Sequence, residues 1–497
     1  RERELFYACG YDIATKQYAT PNLEAVRAAF QGGFVGVNCR DNTGASPLAH
    51  AAWVGHEELI ALLIERGADL DAENLDGATP LHYTVYNNQP RAAALLLTCG
   101  ADPAAALEDT VAVAKPEVLA VLRAAQAGKK AALKATADAL SAPGKGFLAS
   151  DESAGPWLRA GHVEAAKIAD TAECRAAYRS MLYTTPGLSE YISGVILHVE
   201  TLFQKDKNGK QLVDMITENG MIPGIKLDKG YTKTGISGTA TGPLGHPETW
   251  CMGIDDLPKR AAEAYAQGAR FAKWRNVLQI DPEKGLPSDL AIEICVQNLA
   301  QYASICQAAG LVPIVEPEIV PNGSHSIGVC AGITERVLAK QFAALALHKI
   351  YLPGCLLKPN MVKNGLTGPK ASKELVAKHT IETLLKTVPP ELPGIFFLSG
   401  ETSLDEDNEE TATINLNEMH KLYKDLPWSV SFSFGKALQK TCIVTWMGKE
   451  ENNAAAQTAL TNRSKANFLA AKDGSYVAGS CASIGADGNI EMKGGAY

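Results

Sequence analysis

Gly354-Cys-Leu-Leu-Lys358-Pro-Asn360 is a short apolar run that ends in a lysine, is stopped by proline and passes into the polar loop Asn360-Met-Val-Lys-Asn364. The pattern predicts a buried strand with an amine at its carboxyl end, where parallel α/β barrels keep their chemistry. A lysine amine in an apolar setting, or beside other cations, loses part of its preference for the charged form and attacks a carbonyl as a free amine. Taken alone, Lys358 reads more readily as a solvated residue capping a strand.

Working outward, apolar runs of strand length alternate with helical patterns. The runs are Gly146–Ser150, Gly194–His198, Ile222–Lys226, Arg270–Trp274, Leu311–Glu316, Cys355–Lys358, Ile395–Ser399 and Ser429–Ser433. Helical patterns fall at Leu257–Gln267, Ser288–Ala308, Thr334–Leu347, Ala371–Thr387 and Leu416–Lys424. Eight strands in β–α alternation predict a (β/α)8 TIM barrel. Its strand ends then converge on one mouth: Asp151-Glu-Ser153, Lys226-Leu-Asp228, Lys273-Trp-Arg275, Glu316-Pro-Glu318, Lys358, Ser399-Gly400 and Ser433-Phe-Gly-Lys436. Clustered cations depress the pKa of Lys358 and attract phosphates, and Glu316 can move protons. Ser399-Gly400 and Ser433-Phe-Gly435 offer hydroxyls and amides after strands seven and eight, where barrels often hold phosphate.

Residues 1–128 have a different pattern. Ser46-Pro-Leu48 recurs as Thr79-Pro-Leu81, Gly67-Ala-Asp69 as Gly100-Ala-Asp102 and Gly44 as Gly77, each 33 residues on. The period resembles the ankyrin repeat, with Thr79-Pro-Leu-His82 a full match to its opening turn. Proline in a first helical turn sacrifices no hydrogen bond, and Glu57-Glu-Leu-Ile-Ala-Leu-Leu-Ile64 carries an apolar face too broad for a lone helix to hide. A weaker unit precedes at about Glu4–Gly33, and an alanine-rich one follows at about Pro103–Gly128, as capping units do. His50, His56 and His82 read as turn or packing residues. The division expected is an all-α ankyrin solenoid over 1–128 followed by a barrel over 129–497, opened by a helix Lys129–Leu140 and closed by a Gly-rich tail over about 475–497.

A net charge of −8 without long basic runs argues against nucleic acid as a partner. No apolar run approaches a membrane span, so no membrane insertion is expected. The 11 scattered cysteines read as reduced thiols, and no histidines stand at metal-ligand spacing. A cytoplasmic location is expected, the alternative being an organelle such as a plastid for a chain that has lost a targeting segment.

Residues 129–497 resemble class I fructose-bisphosphate aldolase. The resemblance is carried by Ala142-Pro-Gly-Lys-Gly146, Ala149-Ser-Asp-Glu-Ser153, Gly224-Ile-Lys-Leu-Asp-Lys-Gly230, Phe271-Ala-Lys-Trp-Arg275, Val312-Pro-Ile-Val-Glu-Pro-Glu-Ile319, Leu357-Lys-Pro-Asn-Met361 and the closing Ala496-Tyr497. It implies that Lys358 forms a Schiff base with the substrate's C2 carbonyl and that Glu316 is the acid/base of carbinolamine dehydration. Glu318, Lys273 and Asp151 would complete the proton-handling set, and Tyr497 would assist protonation of the enamine. Ser153, Lys226 and Arg275 would lie around the six-phosphate, and Ser399, Gly400, Ser433, Gly435 and Lys436 around the one-phosphate. The iminium is the electron sink, so neither metal nor other cofactor is expected. A phosphorylated sugar substrate, a homotetramer and an unidentified protein partner of the repeats complete the expectation.

Three departures from that family bear on the phosphate ends. Lys436 replaces an arginine and lacks its two-pronged contact, Pro156 replaces a serine, and Glu401 with the acidic stretch Asp405–Glu410 brings negative charge. They keep open an aldolase preferring sedoheptulose 1,7-bisphosphate, a scaffold working through its repeats, and a transaldolase-like transferase.

Overall fold

Eight parallel strands close on themselves in the computed structural model, which describes residues 2–31, 36–151, 168–232, 234–399 and 409–481. They are β1 Gly146–Ser150, β2 Ile192–Leu197, β3 Ile222–Lys226, β4 Phe271–Leu278, β5 Val312–Ile319, β6 Leu356–Leu357, β7 Gly394–Phe397 and β8 Ser429–Phe434. Each pairs with the next, and β8 returns to β1. The barrel read from the sequence is thus the barrel found, with β4 and β5 running well beyond their expected ends. β4 and β5 run on past Trp274 and Glu316 because they pair residue for residue from Phe271↔Val312 to Leu278↔Ile319. Arg275, Glu316 and Glu318 therefore project from regular strand.

Alternation along a strand sorts these side chains. Phe271, Lys273 and Arg275 share one face of β4, and Val312, Ile314, Glu316 and Glu318 share one face of β5. The lower residues of these faces form an apolar plug of Phe147, Ile196, Phe271, Val312, Ile314, Leu356 and Phe396. It is closed from below by Leu133, Ala137 and Leu140. The fit leaves no room at Gly194, where a Cβ would come within 2.8 Å of Leu140 and 2.9 Å of Phe147. Intervening residues such as Ala272 and Trp274 face the surrounding helices.

Those helices include the expected ones, with two starting earlier: Ile327–Leu347, capped by Ser326, and Thr411–Leu422. Ala172–Tyr183, Lys436–Trp446 and Asn453–Asp473 were not expected. The last is rich in alanine and polar residues, and its buried face includes Arg463, Ser464 and Asn467, so it presents no apolar stripe to read.

The chain divides into compact units Arg1–Ala131 and Ala132–Tyr497. In the first, the repeat becomes the helix pairs Pro47–Val54 with Glu57–Glu65 and Pro80–Tyr86 with Pro90–Thr98. Ser46 Oγ accepts from Ala49 N at 3.2 Å, and Thr79 N donates to His82 Nδ1 at 3.1 Å. Two residues one period apart make the same link to the following unit: Asn38 Oδ1 accepts from Asp69 N at 2.8 Å, and Asp71 Oδ1 from Asp102 N at 3.0 Å. The opening unit differs by a small hairpin, Tyr11–Asp12 against Gln17–Tyr18, between its helices. No break occurs at Gly128, where the sequence suggested one; helix Pro116–Leu140 is continuous over 25 residues. A lone glycine costs a helix only about 1 kcal/mol, too little to end it.

Leu140 is fully buried under the apolar plug. Leu140→Ala is expected to lower barrel stability by about 2–5 kcal/mol, read as a shift in the urea midpoint with unchanged slope. A shift below about 0.5 kcal/mol would show that the plug does not depend on this residue.

Candidate active site

Directly above the plug the barrel interior turns from apolar to charged. Lys358, the first residue after β6, is 4% exposed, and its amine lies 2.9 Å from Glu316 Oε1 on β5. Lys273 on β4 stands between two carboxylates, donating to Asp151 Oδ2 at 2.6 Å and lying 3.3 Å from Glu316 Oε2. One rung higher, Arg275 is ion-paired with Glu318 at 2.5 Å. Lys226, the last residue of β3, meets Asp228 at 2.5 Å. Register sets Lys358 beside Glu316, since Ile314 and Val315 pair with Leu356 and Leu357, whereas Asp151, after β1, meets Lys273 across the barrel.

Burial opposes charge on Asp151, yet Lys273, Lys358 and Lys226 together outweigh it and hold its carboxyl far below the usual range. Glu316 is likewise held low: burial works against its charge, and Lys273, Lys358 and Arg275 overcome it. On Lys358 the balance falls the other way. Burial depresses its pKa and Lys273 adds to the effect, while Glu316 and Asp151 only partly resist. The amine is therefore more available as a nucleophile than a solvated lysine's, 2.9 Å from a carboxylate able to relay protons.

Four further phosphate-binding candidates lie on or directly after β7 and β8. Ser433 ends the inner face of β8, 2% exposed, with no partner for its Oγ among the described residues. Gly435 caps helix Lys436–Trp446, which places Lys436 in the first turn, where backbone amides favour an anion. Ser399 follows β7 and is half-buried. Ser153, Gly400 and Tyr497, with Pro156 and Glu401, lie outside the described residues. Of the acidic stretch ending at Glu410, the last two residues bind other parts of the chain: Glu409 is buried against Thr441, and Glu410 binds Tyr476 and Gly479.

The sequence reading passed over three supporting residues. Arg179, fully buried on helix Ala172–Tyr183, donates to the Asp151 carbonyl at 3.1 Å and pairs with Glu200 at 3.3 Å. Tyr231 offers its ring to Arg275, 5.7 Å from the centroid. Asn360, inside the quoted stretch, accepts from Ile319 N at 2.7 Å and so ties the end of β5 to the loop after Lys358. Only the last carried a signal, an asparagine directly after Lys-Pro. Trp274, between two site residues in sequence, faces outward, stacks on Tyr302 and donates to Asn298 at 2.7 Å. No group of three or more potential metal ligands occurs among the described residues.

A buried lysine and its carboxylates at the carboxyl ends of barrel strands define a barrel enzyme working from that face. The profile of the family Fructose-bisphosphate aldolase class-I matches residues 132–497, and that of ankyrin repeats, three copies, matches residues 13–106. Fructose-bisphosphate aldolase 1 of Toxoplasma gondii is 48% identical over 355 residues, 71% of this chain and 93% of the relative. The cytosolic fructose-bisphosphate aldolase 5 of Arabidopsis thaliana is 45% identical over 362 residues, 73% of this chain and 96% of the relative. Among solved structures, fructose-bisphosphate aldolase from Plasmodium falciparum, in complex with TRAP and a small-molecule inhibitor, matches with TM-score 0.66 at 45% identity, covering 71% of this chain and 97% of that one. The chain belongs to the class-I fructose-bisphosphate aldolase family, metal-independent lyases of the Schiff-base type, and carries ankyrin repeats ahead of the aldolase domain.

Labelling of Lys358 by an amine-selective reagent, followed against pH by mass spectrometry, is expected to show a midpoint below the ordinary 10.5. Glu316→Gln should move it lower, because the carboxylate that favours the ammonium is gone, and Lys273→Met should move it up. A midpoint at or above the ordinary value would contradict the electrostatic account.

Proposed function

We propose that this chain catalyses the reversible cleavage of fructose 1,6-bisphosphate to dihydroxyacetone phosphate and glyceraldehyde 3-phosphate, with Lys358 as the Schiff-base residue. The observation that carries the reading is the buried Lys358 amine 2.9 Å from the Glu316 carboxylate, at the end of β6. Glu316 takes the proton that frees the Lys358 amine, which attacks the C2 carbonyl and passes a nitrogen proton to its oxygen; Glu316 then returns its proton to the carbinolamine hydroxyl, which leaves as water. Asp151, held ionised by the neighbouring lysines, takes the C4 hydroxyl proton. The C3–C4 bond then breaks, its electron pair flows into the iminium, and glyceraldehyde 3-phosphate departs. Tyr497 gives a proton to C3 of the remaining enamine, and water releases dihydroxyacetone phosphate from Lys358. Lys273 keeps Asp151 and Glu316 apart in charge and in space, and Glu318 orients Arg275.

Ser153, Lys226 and Arg275 bind the six-phosphate in this reading, and Ser399, Gly400, Ser433, Gly435 and Lys436 the one-phosphate. The chemistry requires no metal or other cofactor, since the iminium stores the electron pair. Residues 1–128 act as a docking module for another protein and 129–497 as the aldolase. Assembly as a homotetramer would present four modules together and strengthen attachment through effective concentration. The cytoplasm is the proposed compartment, in keeping with the cytosolic Arabidopsis relative; an organelle such as a plastid is the alternative.

The decisive experiment is borohydride reduction in the presence of fructose 1,6-bisphosphate, digestion and mass spectrometry. An adduct on Lys358 is expected, and its absence from folded protein would refute the reading for this substrate. Sedoheptulose 1,7-bisphosphate, tested in parallel, separates a shifted preference from a scaffold without turnover. Lys436→Arg is expected to lower KM for the bisphosphate by about threefold to tenfold with little change in kcat, since a fork replaces a point charge on phosphate. An unchanged KM would remove Lys436 from the phosphate site.

A further inference from the structure

Three buried side chains fix the start of helix Lys436–Trp446. β8 stops pairing with β1 at Phe434↔Leu148, and the next carbonyl of β1, that of Ala149, accepts from Gln439 Nε2 at 2.7 Å. A side chain thus extends the ladder where the backbone of β8 has turned into the helix. Gln439 is fully buried, and Tyr178 donates to its Oε1 at 3.4 Å.

Helix Asn453–Asp473 supplies the second of these side chains. Arg463, buried, donates from Nε to the Ala437 carbonyl at 3.0 Å. Its Nη2 donates to the Glu409 carbonyl and to the Thr413 hydroxyl, both at 2.7 Å. Glu409 is the third: its carboxyl accepts from Thr441 N at 2.8 Å and from the Thr441 hydroxyl. Ala437 O and Thr441 N are the two ends of one helical rung, four residues apart. Each end is bonded to a buried side chain from outside the helix. Shifting this turn would strand several buried polar groups without partners, so its position is sharply defined. Ser433, Gly435 and Lys436 lie directly before or within the turn so held. Ser433 Oγ is buried with no partner among the described residues, and the first amides of a helix lack intrahelical partners.

We propose that Gln439, Arg463 and Glu409 are positioning residues for the substrate's one-phosphate: they set where the first-turn amides of helix Lys436–Trp446, and Lys436 with them, stand relative to Ser433 and the end of β1. The inference rests on the reading of Ser433, Gly435 and Lys436 as phosphate ligands given above. The three act through the backbone they hold, since donors displaced by about 1 Å lose much of their grip on an anion. Their effect is confined to ligands that carry this phosphate, because the Lys358 amine, at the end of β6, can meet a ketone with or without it.

The test titrates the borohydride-trapped adduct on Lys358 with dihydroxyacetone phosphate and with dihydroxyacetone, which differ only in the phosphate. Gln439→Met and Arg463→Lys weaken one anchor each while keeping most of the buried volume; Ser433→Ala and Lys436→Met remove proposed ligands directly. The half-saturating concentration of dihydroxyacetone phosphate should rise about threefold to tenfold in Gln439→Met and Arg463→Lys, and that of dihydroxyacetone should stay within about twofold. Glu409→Ala should behave alike, and Glu409→Gln, which can still bond Thr441, should recover most of the loss. KM for fructose 1,6-bisphosphate should rise in parallel with kcat little changed. Equal weakening for both ketones would mark a general loss of structure and overturn the proposal, as would an unchanged dihydroxyacetone phosphate titration in the anchor variants. If Ser433→Ala or Lys436→Met shifts that titration and the anchor variants do not, only the positioning role fails. If neither ligand variant shifts it, the phosphate reading fails and the proposal with it.

Discussion

Everything at the mouth of this barrel depends on Lys273 standing between Asp151 and Glu316, 2.6 and 3.3 Å from their oxygens. All three are nearly inaccessible to water, and each alone would cost several kcal/mol to bury as an ion. Together they are tolerable, because Lys273 answers Glu316 on the adjacent strand β5 and Asp151 from across the barrel mouth. The arrangement separates two carboxylates that would otherwise compete for one proton. Lys273 also adds to the burial that makes Lys358 a readier amine, against the pull of the two carboxylates. The geometry supporting the chemistry and the electrostatics permitting burial are one network.

That network needs a rigid support, which the barrel supplies through alternation and register. Phe271 and Lys273 differ by two positions on β4, yet one belongs to the apolar plug and the other to the charged layer above it. Sliding a strand by one residue would turn its charges into the surrounding apolar shell. The plug and the closing residues Leu133, Ala137 and Leu140 therefore act as the base on which the site is held. Arg179 and Asn360 complete the support by holding backbone at the ends of β1 and β5.

Much of this was legible before any fold was seen. Eight strand-like runs, with charge gathered at their carboxyl ends, pointed to the barrel and to Asp151, Lys226, Lys273, Arg275, Glu316 and Lys358 as neighbours. The 33-residue period likewise pointed to the repeats. The helix Asn453–Asp473 left no such trace, because it is buried through alanines and paired polar groups rather than an apolar stripe. Arg179, Tyr231 and the partners of Glu409 and Glu410 left no trace for a related reason. Their roles lie in single contacts with residues distant in the chain, and no local spacing encodes them.

By itself the sequence determined the class of fold, the order of its two parts, and which residue types reach the strand ends, since alternation, period and turn chemistry are local properties of a chain. Only the tertiary structure decided which carboxylate faces which lysine, that β4 and β5 extend far enough to place Arg275 and Glu318 on strand, and that the last two acids of the β7 loop turn into the protein. Those outcomes depend on register and closure. Both are set by contacts between segments up to hundreds of residues apart, where Coulomb energy and burial act through space and not along the chain.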